Sequence, residues 1–220
     1  MAAHLLHHER EAIAAVSRSL AADGLVLGTS GNVSARAGDH VAITPTGAVL
    51  AELEPDQVTI VDLAGDVVDG RLAPTSELDL HLGVYERYGA GAVVHTHAPV
   101  ATALSCVLDE VPCVHYEMLQ LGGPVPVARY ETFGTPELAA TVLDALEGKA
   151  AVLMANHGAL TTGADPQAAA DLTRLLEWAC SVYWRAAAIG EPRALDEEAR
   201  QAVVEAALRR GYGQTKDATP

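Results

Sequence analysis

The chain has 220 residues, half of them hydrophobic, and its formal net charge is −15. An acidic chain without clustered Lys and Arg is not expected to bind nucleic acid, and no apolar run approaches the ~20 residues of a membrane helix. The length and the apolar fraction predict one globular domain over residues 1–220.

The first half of the chain predicts one helix followed by short strands. Residues 5–22 are rich in Ala and Leu with amphipathic spacing, and Asp23-Gly24 ends this helix. Turn residues separate the strands that follow, and the short spacing between them favours antiparallel hairpins. These predicted strands cover residues 32–36, 40–44, 58–62 and 66–68.

The second half predicts helices that enclose two buried strands. Ser76 is the expected N-cap of a helix to about Tyr88, with Asp79 in the capping-box position. Strands are predicted at 92–97 and 150–155. Further helices begin at 98 and at 135, and two more run over 166–189 and 196–210. We therefore expect an α/β, or α+β layered, fold with a central and mostly antiparallel sheet between helices.

The cysteines and the N-terminus predict the compartment. Cys106, Cys113 and Cys180 are an odd number without metal-type spacing, which favours free thiols in a reducing cytoplasm. The first nine residues contain three histidines and no apolar core of 7–15 residues, so a signal peptide is not predicted.

Three histidines and one glutamate predict a metal site. In the apolar strand that ends in His95-Thr96-His97, residues i and i+2 point to the same side, so both imidazoles emerge together. His157 follows the other buried strand and precedes a glycine, while Glu77 lies where a helix dipole favours a carboxylate. Such a set suits a catalytic zinc ion with one exchangeable position.

Each of these residues also has an ordinary structural role as an alternative. A lone buried histidine is more often a hydrogen-bonded core residue than a ligand, and Glu77 alone would be a helix-terminal charge. His81 lies one turn after Glu77, where it either orients a ligand or packs on the helix surface.

Three segments without lysine predict an anion pocket. Residues 28–34 and 44–47 are rich in glycine and small hydroxyls, and Thr75-Ser76 lies at a helix start. None is followed by the Gly-Lys of a phosphate-binding Walker loop. Backbone N–H groups and hydroxyls can still bind an anion, and beside a candidate metal site they suggest a phosphorylated small molecule. Ordinary turns are the alternative for each segment.

In this order and spacing the motifs resemble the class II aldolase/adducin family, most of all its L-fuculose-1-phosphate aldolases, from about residue 9 to 213. The resemblance is carried by Gly28-Thr29-Ser30-Gly31-Asn32-Val33-Ser34, Ile43-Thr44-Pro45-Thr46-Gly47, Pro74-Thr75-Ser76-Glu77, Val93-Val94-His95-Thr96-His97, His115-Tyr116, Thr132-Phe133-Gly134-Thr135 and Asn156-His157-Gly158.

The resemblance implies a function and the residues that perform it. A zinc ion would be held by His95, His97, His157 and, in the resting state, Glu77, which would leave the metal to act as general base. Tyr116 of a neighbouring subunit would serve the aldehyde end, with Phe133 and Tyr212 covering the site. The substrate phosphate would be bound by Thr29, Gly31, Asn32, Thr46, Gly47, Thr75 and Ser76. The implied assembly is a homotetramer with active sites between subunits.

The expected reaction is cleavage of a ketose 1-phosphate, such as L-fuculose 1-phosphate, to dihydroxyacetone phosphate and an aldehyde. Thr75 in place of the usual Ser, the segment after Tyr116 and the tail after Tyr212 depart from fuculose phosphate aldolases. The alternatives are therefore a 5-deoxyribulose or rhamnulose phosphate aldolase and a methylthioribulose-1-phosphate dehydratase. A pentulose-phosphate 4-epimerase is a related alternative, but epimerases of the family look to have Asp where this chain has Glu77, which disfavours it. A non-catalytic adducin-like module is also disfavoured, because such modules lack the metal ligands that this chain has.

Overall fold

The structure, a computed structural model, describes residues 5–210. Six α-helices lie in this range: α1 His7–Ala22, α2 Leu78–Tyr88, α3 Pro99–Ser105, α4 Pro136–Ala145, α5 Pro166–Ile189 and α6 Glu197–Arg210. The nine strands are β1 Asn32–Ala37, β2 His40–Ile43, β3 Thr59–Asp62, β4 Val67–Asp69, β5 Ala92–Thr96, β6 Glu110–Val111, β7 Val125–Ala128, β8 Ala151–Met154 and β9 Gly158–Gly163. No helix among these residues has the length and apolar character needed to cross a membrane.

All nine strands form one sheet in the order β4-β3-β2-β1-β5-β9-β8-β7-β6. Neighbouring strands are antiparallel except for β7 and β8, which pair in parallel. This confirms the mostly antiparallel sheet and the hairpins β1 to β4. Strand β5 lies in the middle, between β1 and β9, so all of its five residues are buried.

The sheet separates two hydrophobic cores, because successive side chains of a strand point to opposite faces. Val94 of β5 belongs to the core that includes Ile13 of α1, Ala101 of α3 and Leu176 of α5. Val93 belongs to the other core, which α2 and α4 cover. His95 follows Val93 by two residues, so it lies on the side of α2. The fold is therefore a layered arrangement with helices on both faces of the sheet.

The sequence predictions missed the strands β6, β7 and β9 and placed the start of α2 wrongly. Ser76 is not the N-cap of α2: the helix begins at Leu78, its N-cap is Glu77, and no side chain caps it. The backbone N–H of Leu78 instead donates to the carbonyl of Thr75, which forms a tight turn that turns Glu77 inward. Strand β9 was not predicted, because Gly-Ala-Leu-Thr-Thr-Gly lacks the alternation of a half-buried strand.

Candidate metal centre and cleft

His95 and His97 are held where β5 ends and α3 begins. Pro99 starts α3, and two of that helix's first N–H groups, those of Val100 and Ala101, donate to the carboxylate of Glu177 at 2.8 Å each. These bonds satisfy amides that a helix start leaves unpaired. Helix α5 thus anchors the turn that carries both histidines.

His157 reaches the same point from the turn between β8 and β9. Asn156 has a left-handed backbone (φ 55°), which short polar side chains tolerate better than most. A Cβ on Gly158 would lie 2.3 Å from the carbonyl oxygen of Thr96 and 2.9 Å from the ring of His97. Only glycine allows this turn to approach β5 closely enough for the three rings to meet.

The four predicted ligands converge on one point. The ring centroids of the three histidines are 4.9, 4.9 and 5.0 Å apart. The Nε2 atoms of His95 and His97 are 3.1 Å apart, and the carboxylate oxygens of Glu77 lie 3.3 Å from His95 Nε2 and 3.6 Å from His157 Nε2. Ligands about 2.0–2.1 Å from a tetrahedral zinc ion are separated by about 3.3 Å, so these distances fit such an ion.

The protonation states also fit a metal. The Nδ1–H of His95 donates to the Ala159 carbonyl at 2.9 Å, which leaves a lone pair on Nε2. Burial lowers the pKa of His95 and His97, and that of His157 to about 4, so all three rings are neutral at pH 7. Neutral rings with converging lone pairs suit a cation.

Glu77 adds the negative charge. Burial alone would raise the pKa of its carboxyl, but His95 and the hydrogen bond from Asn32 outweigh burial and hold that pKa below its usual value. Oε2 accepts from Asn32 Nδ2 at 2.9 Å. Oε1 is buried and has no hydrogen-bond donor within residues 5–210. A buried carboxylate oxygen without a donor is costly, and a metal ion would satisfy it.

The metal centre forms one wall of a cleft of about 320 Å³. The cleft contains every predicted metal ligand and phosphate-binding residue, and also Phe133, Ser30 and Pro45. Its lining residues are Thr29, Ser30, Gly31, Asn32, Pro45, Thr46, Gly47, Thr75, Ser76, Glu77, His95, His97, Phe133 and His157. Ser30 and Pro45 lie inside the quoted motifs but were not singled out as contacts. No lysine or arginine is among these described lining residues.

Gly31 brings the anion loop onto the metal centre. Its φ is +86°, and a Cβ there would lie 2.8 Å from the His95 carbonyl oxygen. The next residue, Asn32, pairs with His95 across β1 and β5. The loop before β1 is thus placed directly beside the metal ligands by strand pairing.

Two predicted residues are not placed in the cleft. Tyr116 begins the 3₁₀ helix Tyr116–Leu121, is 40 % exposed and lines a separate groove against α6. Its role at the site of a neighbouring subunit stays a prediction. Tyr212 lies outside the described residues. Phe133, by contrast, is at the cleft and 67 % exposed.

The match to known proteins agrees with this site. Residues 11–184 match the family described as Class II Aldolase and Adducin N-terminal domain. The chain is 38 % identical over 213 residues to a 5-deoxy-D-ribulose 1-phosphate aldolase of Bacillus thuringiensis serovar kurstaki, covering 96 % of this chain and 99 % of that one. It is 39 % identical over 198 residues to a 5-methylthioribulose-1-phosphate/5-deoxyribulose-1-phosphate aldolase of Rhodospirillum rubrum, covering 89 % of each.

The fold agrees as well. A solved L-fuculose 1-phosphate aldolase superposes with a TM-score of 0.87 at 33 % identity, covering 90 % of this chain and 95 % of that one. The sheet, the converging ligands and these matches lead to one conclusion: the chain belongs to the class II aldolase and adducin family and is one of its aldolases.

Proposed function

We propose that this aldolase uses zinc to cleave a ketose 1-phosphate to dihydroxyacetone phosphate and an aldehyde. The observation that carries the proposal is the approach of three neutral imidazoles and the Glu77 carboxylate to tetrahedral distances inside a cleft lined by small hydroxyls and glycines. A zinc ion bound there would act as a Lewis acid and stabilise the negative charge that the substrate oxygens develop.

Glu77 is the proposed general base. In the cleavage direction it takes the proton of the C4 hydroxyl, the C3–C4 bond breaks, and the electron pair remains on C3 in the enediolate of dihydroxyacetone phosphate. C4 becomes the aldehyde carbon, and Glu77 returns the proton to C3. A base acts within hydrogen-bond reach of the proton that it moves, which requires Glu77 to turn from its resting position toward the substrate.

The phosphate is proposed to bind to neutral donors. Thr29, Thr46, Thr75 and Ser76 offer hydroxyls, and the loops around Gly31 and Gly47 offer backbone N–H groups. Ser76 is free for this role because α2 does not use its hydroxyl as a cap.

The proposed assembly is a homotetramer whose sites lie between subunits. Tyr116 is outside its own chain's cleft and partly exposed, which suits a residue that hydrogen-bonds the aldehyde oxygen in a neighbouring subunit. Tyr212 is proposed to help cover that site. We propose a cytoplasmic location because Cys106, Cys113 and Cys180 are all free thiols.

For the substrate we propose a 5-deoxypentulose phosphate ahead of L-fuculose 1-phosphate. Two relatives named for 5-deoxyribulose 1-phosphate match 96 % and 89 % of this chain, whereas L-fuculose phosphate aldolases of similar identity match 77 % of it. Phe133, whose ring is exposed at the cleft, is proposed to cover the bound substrate.

The deciding experiment is a coupled assay for dihydroxyacetone phosphate with zinc-loaded protein. The panel contains the 1-phosphates of 5-deoxyribulose, methylthioribulose, fuculose and rhamnulose. We expect product from at least one of them, with the highest kcat/KM for 5-deoxyribulose 1-phosphate. Loss of water from methylthioribulose 1-phosphate, or inversion at C4 of a pentulose 5-phosphate without cleavage, would replace the proposal by a dehydratase or an epimerase.

A further inference from the structure

A buried chain of hydrogen bonds runs from α2 to the proposed base. The hydroxyls of Tyr85 and Ser34 are 2.5 Å apart, and the Ser34 hydroxyl is 2.6 Å from His81 Nδ1. His81 Nε2 is hydrogen-bonded to the Asn32 side-chain oxygen, whose amide nitrogen lies 2.9 Å from Glu77 Oε2. Each of the five side chains is at least 95 % buried.

The donor and acceptor chemistry of these side chains fixes the donor-to-acceptor direction of every hydrogen bond in the chain. The Glu77 carboxylate only accepts, so Asn32 Nδ2 donates to it and also to Thr75 Oγ1 at 3.2 Å. Asn32 Oδ1 therefore accepts from His81, whose Nε2 must carry the proton.

The far end of the chain follows from that tautomer. With the proton on Nε2, Nδ1 of the neutral ring carries a lone pair, so the Ser34 hydroxyl at 2.6 Å donates to it. Ser34 has one hydroxyl proton, so it accepts from Tyr85. Every polar atom of the His81 ring is thus engaged in one orientation.

The orientation of Asn32 matters for the metal centre. If its amide were rotated by 180°, an amide oxygen would face a carboxylate oxygen at 2.9 Å, and the NH₂ group would face the N–H of His81. We propose that His81, held by Ser34 and Tyr85, is a positioning residue that fixes the amide of Asn32 and through it the resting position of Glu77 at the metal.

The inference rests on the proposed function for zinc at this site and for Glu77 as the base, but its main test does not require turnover. We propose to measure zinc affinity by competition with a chelator for His81→Leu and His81→Gln, each alone and combined with Glu77→Gln. Leucine has a similar volume without a donor, while the amide of glutamine can replace the Nε2–H. Loss of such a supporting group costs about 10–100-fold in metal affinity or activity.

We expect His81→Leu to weaken zinc binding at least tenfold, and His81→Gln to stay within threefold of the unmodified protein. In the Glu77→Gln background His81→Leu should add less than threefold, because residues that act through one another are not additive. Equal losses in H81L and H81Q, or a full tenfold loss in the Glu77→Gln background, would overturn the proposal.

Two further variants guard against a general folding defect. Thr173→Val removes a hydroxyl that is 2.7 Å from Thr161 Oγ1 in the other core, and it should lower thermal stability without changing zinc affinity. Tyr85→Phe keeps the ring and removes only the far end of the hydrogen-bond chain. It should fold and weaken zinc binding by two- to fivefold, less than His81→Leu does; an effect as large as that of His81→Leu would contradict the stated order of the chain.

Turnover supplies a second and independent readout. If the unmodified protein cleaves a ketose phosphate, kcat should fall at least tenfold in H81L and recover in H81Q. If the unmodified protein cleaves none, the proposed function fails, while the zinc measurements still test His81.

Discussion

Glu77 is buried and still has a lowered pKa, although burial normally raises the pKa of a carboxyl group. It is 5 % exposed, yet its pKa stays low, so it is ionised at neutral pH. One oxygen is satisfied by Asn32 and the other faces His157 without a donor among the described residues. A carboxylate with one hydrogen-bonded oxygen and one oxygen without a donor can either stay bound to the metal or move away from it.

The first prediction concerns this carboxylate. Glu77→Gln keeps the size of the side chain but removes its charge and basicity, so kcat should fall by about 10²–10⁴-fold. The far-ultraviolet circular dichroism and the oligomer size should stay unchanged. Glu86→Gln, a change at an exposed position on α2, serves as the matched control and should retain kcat within twofold. A Glu77→Gln enzyme with near-normal turnover would rule out its role as base.

Among the elements of the fold, the turn between β8 and β9 brings the third histidine ligand to the other two. It joins two strands of four and six residues and presents His157 against the end of β5. Gly158 allows the contact because the carbonyl of Thr96 occupies the space of a side chain. Any added atom must push the turn, and with it His157, away from β5.

The second prediction follows from that contact. Gly158→Ala should destabilise the protein by about 1–3 kcal/mol, as overpacking does, and should weaken zinc binding at least tenfold. Gly190→Ala is the control, since a Cβ there meets nothing within 4 Å, and it should change stability by less than about 0.5 kcal/mol. Chemical denaturation and zinc competition measure both effects. Normal zinc affinity in Gly158→Ala would contradict the account of the turn.

The sequence predicted those parts of the site that short-range patterns encode. Strand alternation placed His95 and His97 together, while a strand end before a glycine indicated His157 and a helix start indicated Glu77. The resemblance to a family then assigned roles to these residues and to the anion loops. The hydrogen-bond chain through Ser34 and Tyr85 could not be predicted, because it depends on β1 lying against α2, which is a contact between residues 51 apart. The prediction of Ser76 as the N-cap of α2 was wrong because a backbone turn from Thr75 to Leu78 starts the helix after Glu77. Asn32, which is 45 residues away in sequence, then holds the Glu77 carboxylate in its buried position.

At the scale of the whole molecule, three separate segments meet at the metal ligands: α2, the end of β5 and the β8–β9 turn. The unfolded chain has no such site, so zinc binding should stabilise the folded state. At a free zinc concentration 100 times Kd the gain is about 2.7 kcal/mol, or a rise in melting temperature of roughly 5–10 °C. Differential scanning calorimetry before and after chelation tests this third prediction. His95→Ala should show no shift, and an equal shift in that variant would place the zinc elsewhere.

The three thiols provide a fourth prediction about the folded molecule. Burial raises the pKa of Cys113, and it raises that of Cys180 to about 12, whereas Cys106 is exposed. A raised pKa keeps the thiol protonated, and the thiolate is the reactive form. At pH 9 a disulfide reagent should therefore modify about one thiol per native chain and three after denaturation. The Cys106→Ser variant should react with none while folded. Rapid reaction of all three thiols in the native state would contradict the described burial.

The absence of lysine and arginine from the described lining of the cleft has a consequence for the order in which ligands bind. A phosphate dianion entering the cleft without a metal would meet the ionised Glu77 on a chain of net charge −15. Inorganic phosphate should therefore have no measurable affinity for the chelated protein and should compete with substrate only after a divalent ion is bound. The enzyme would then bind its ligands in a compulsory order, with the cation first and the sugar phosphate second. The free metal concentration in the cell would therefore control its activity.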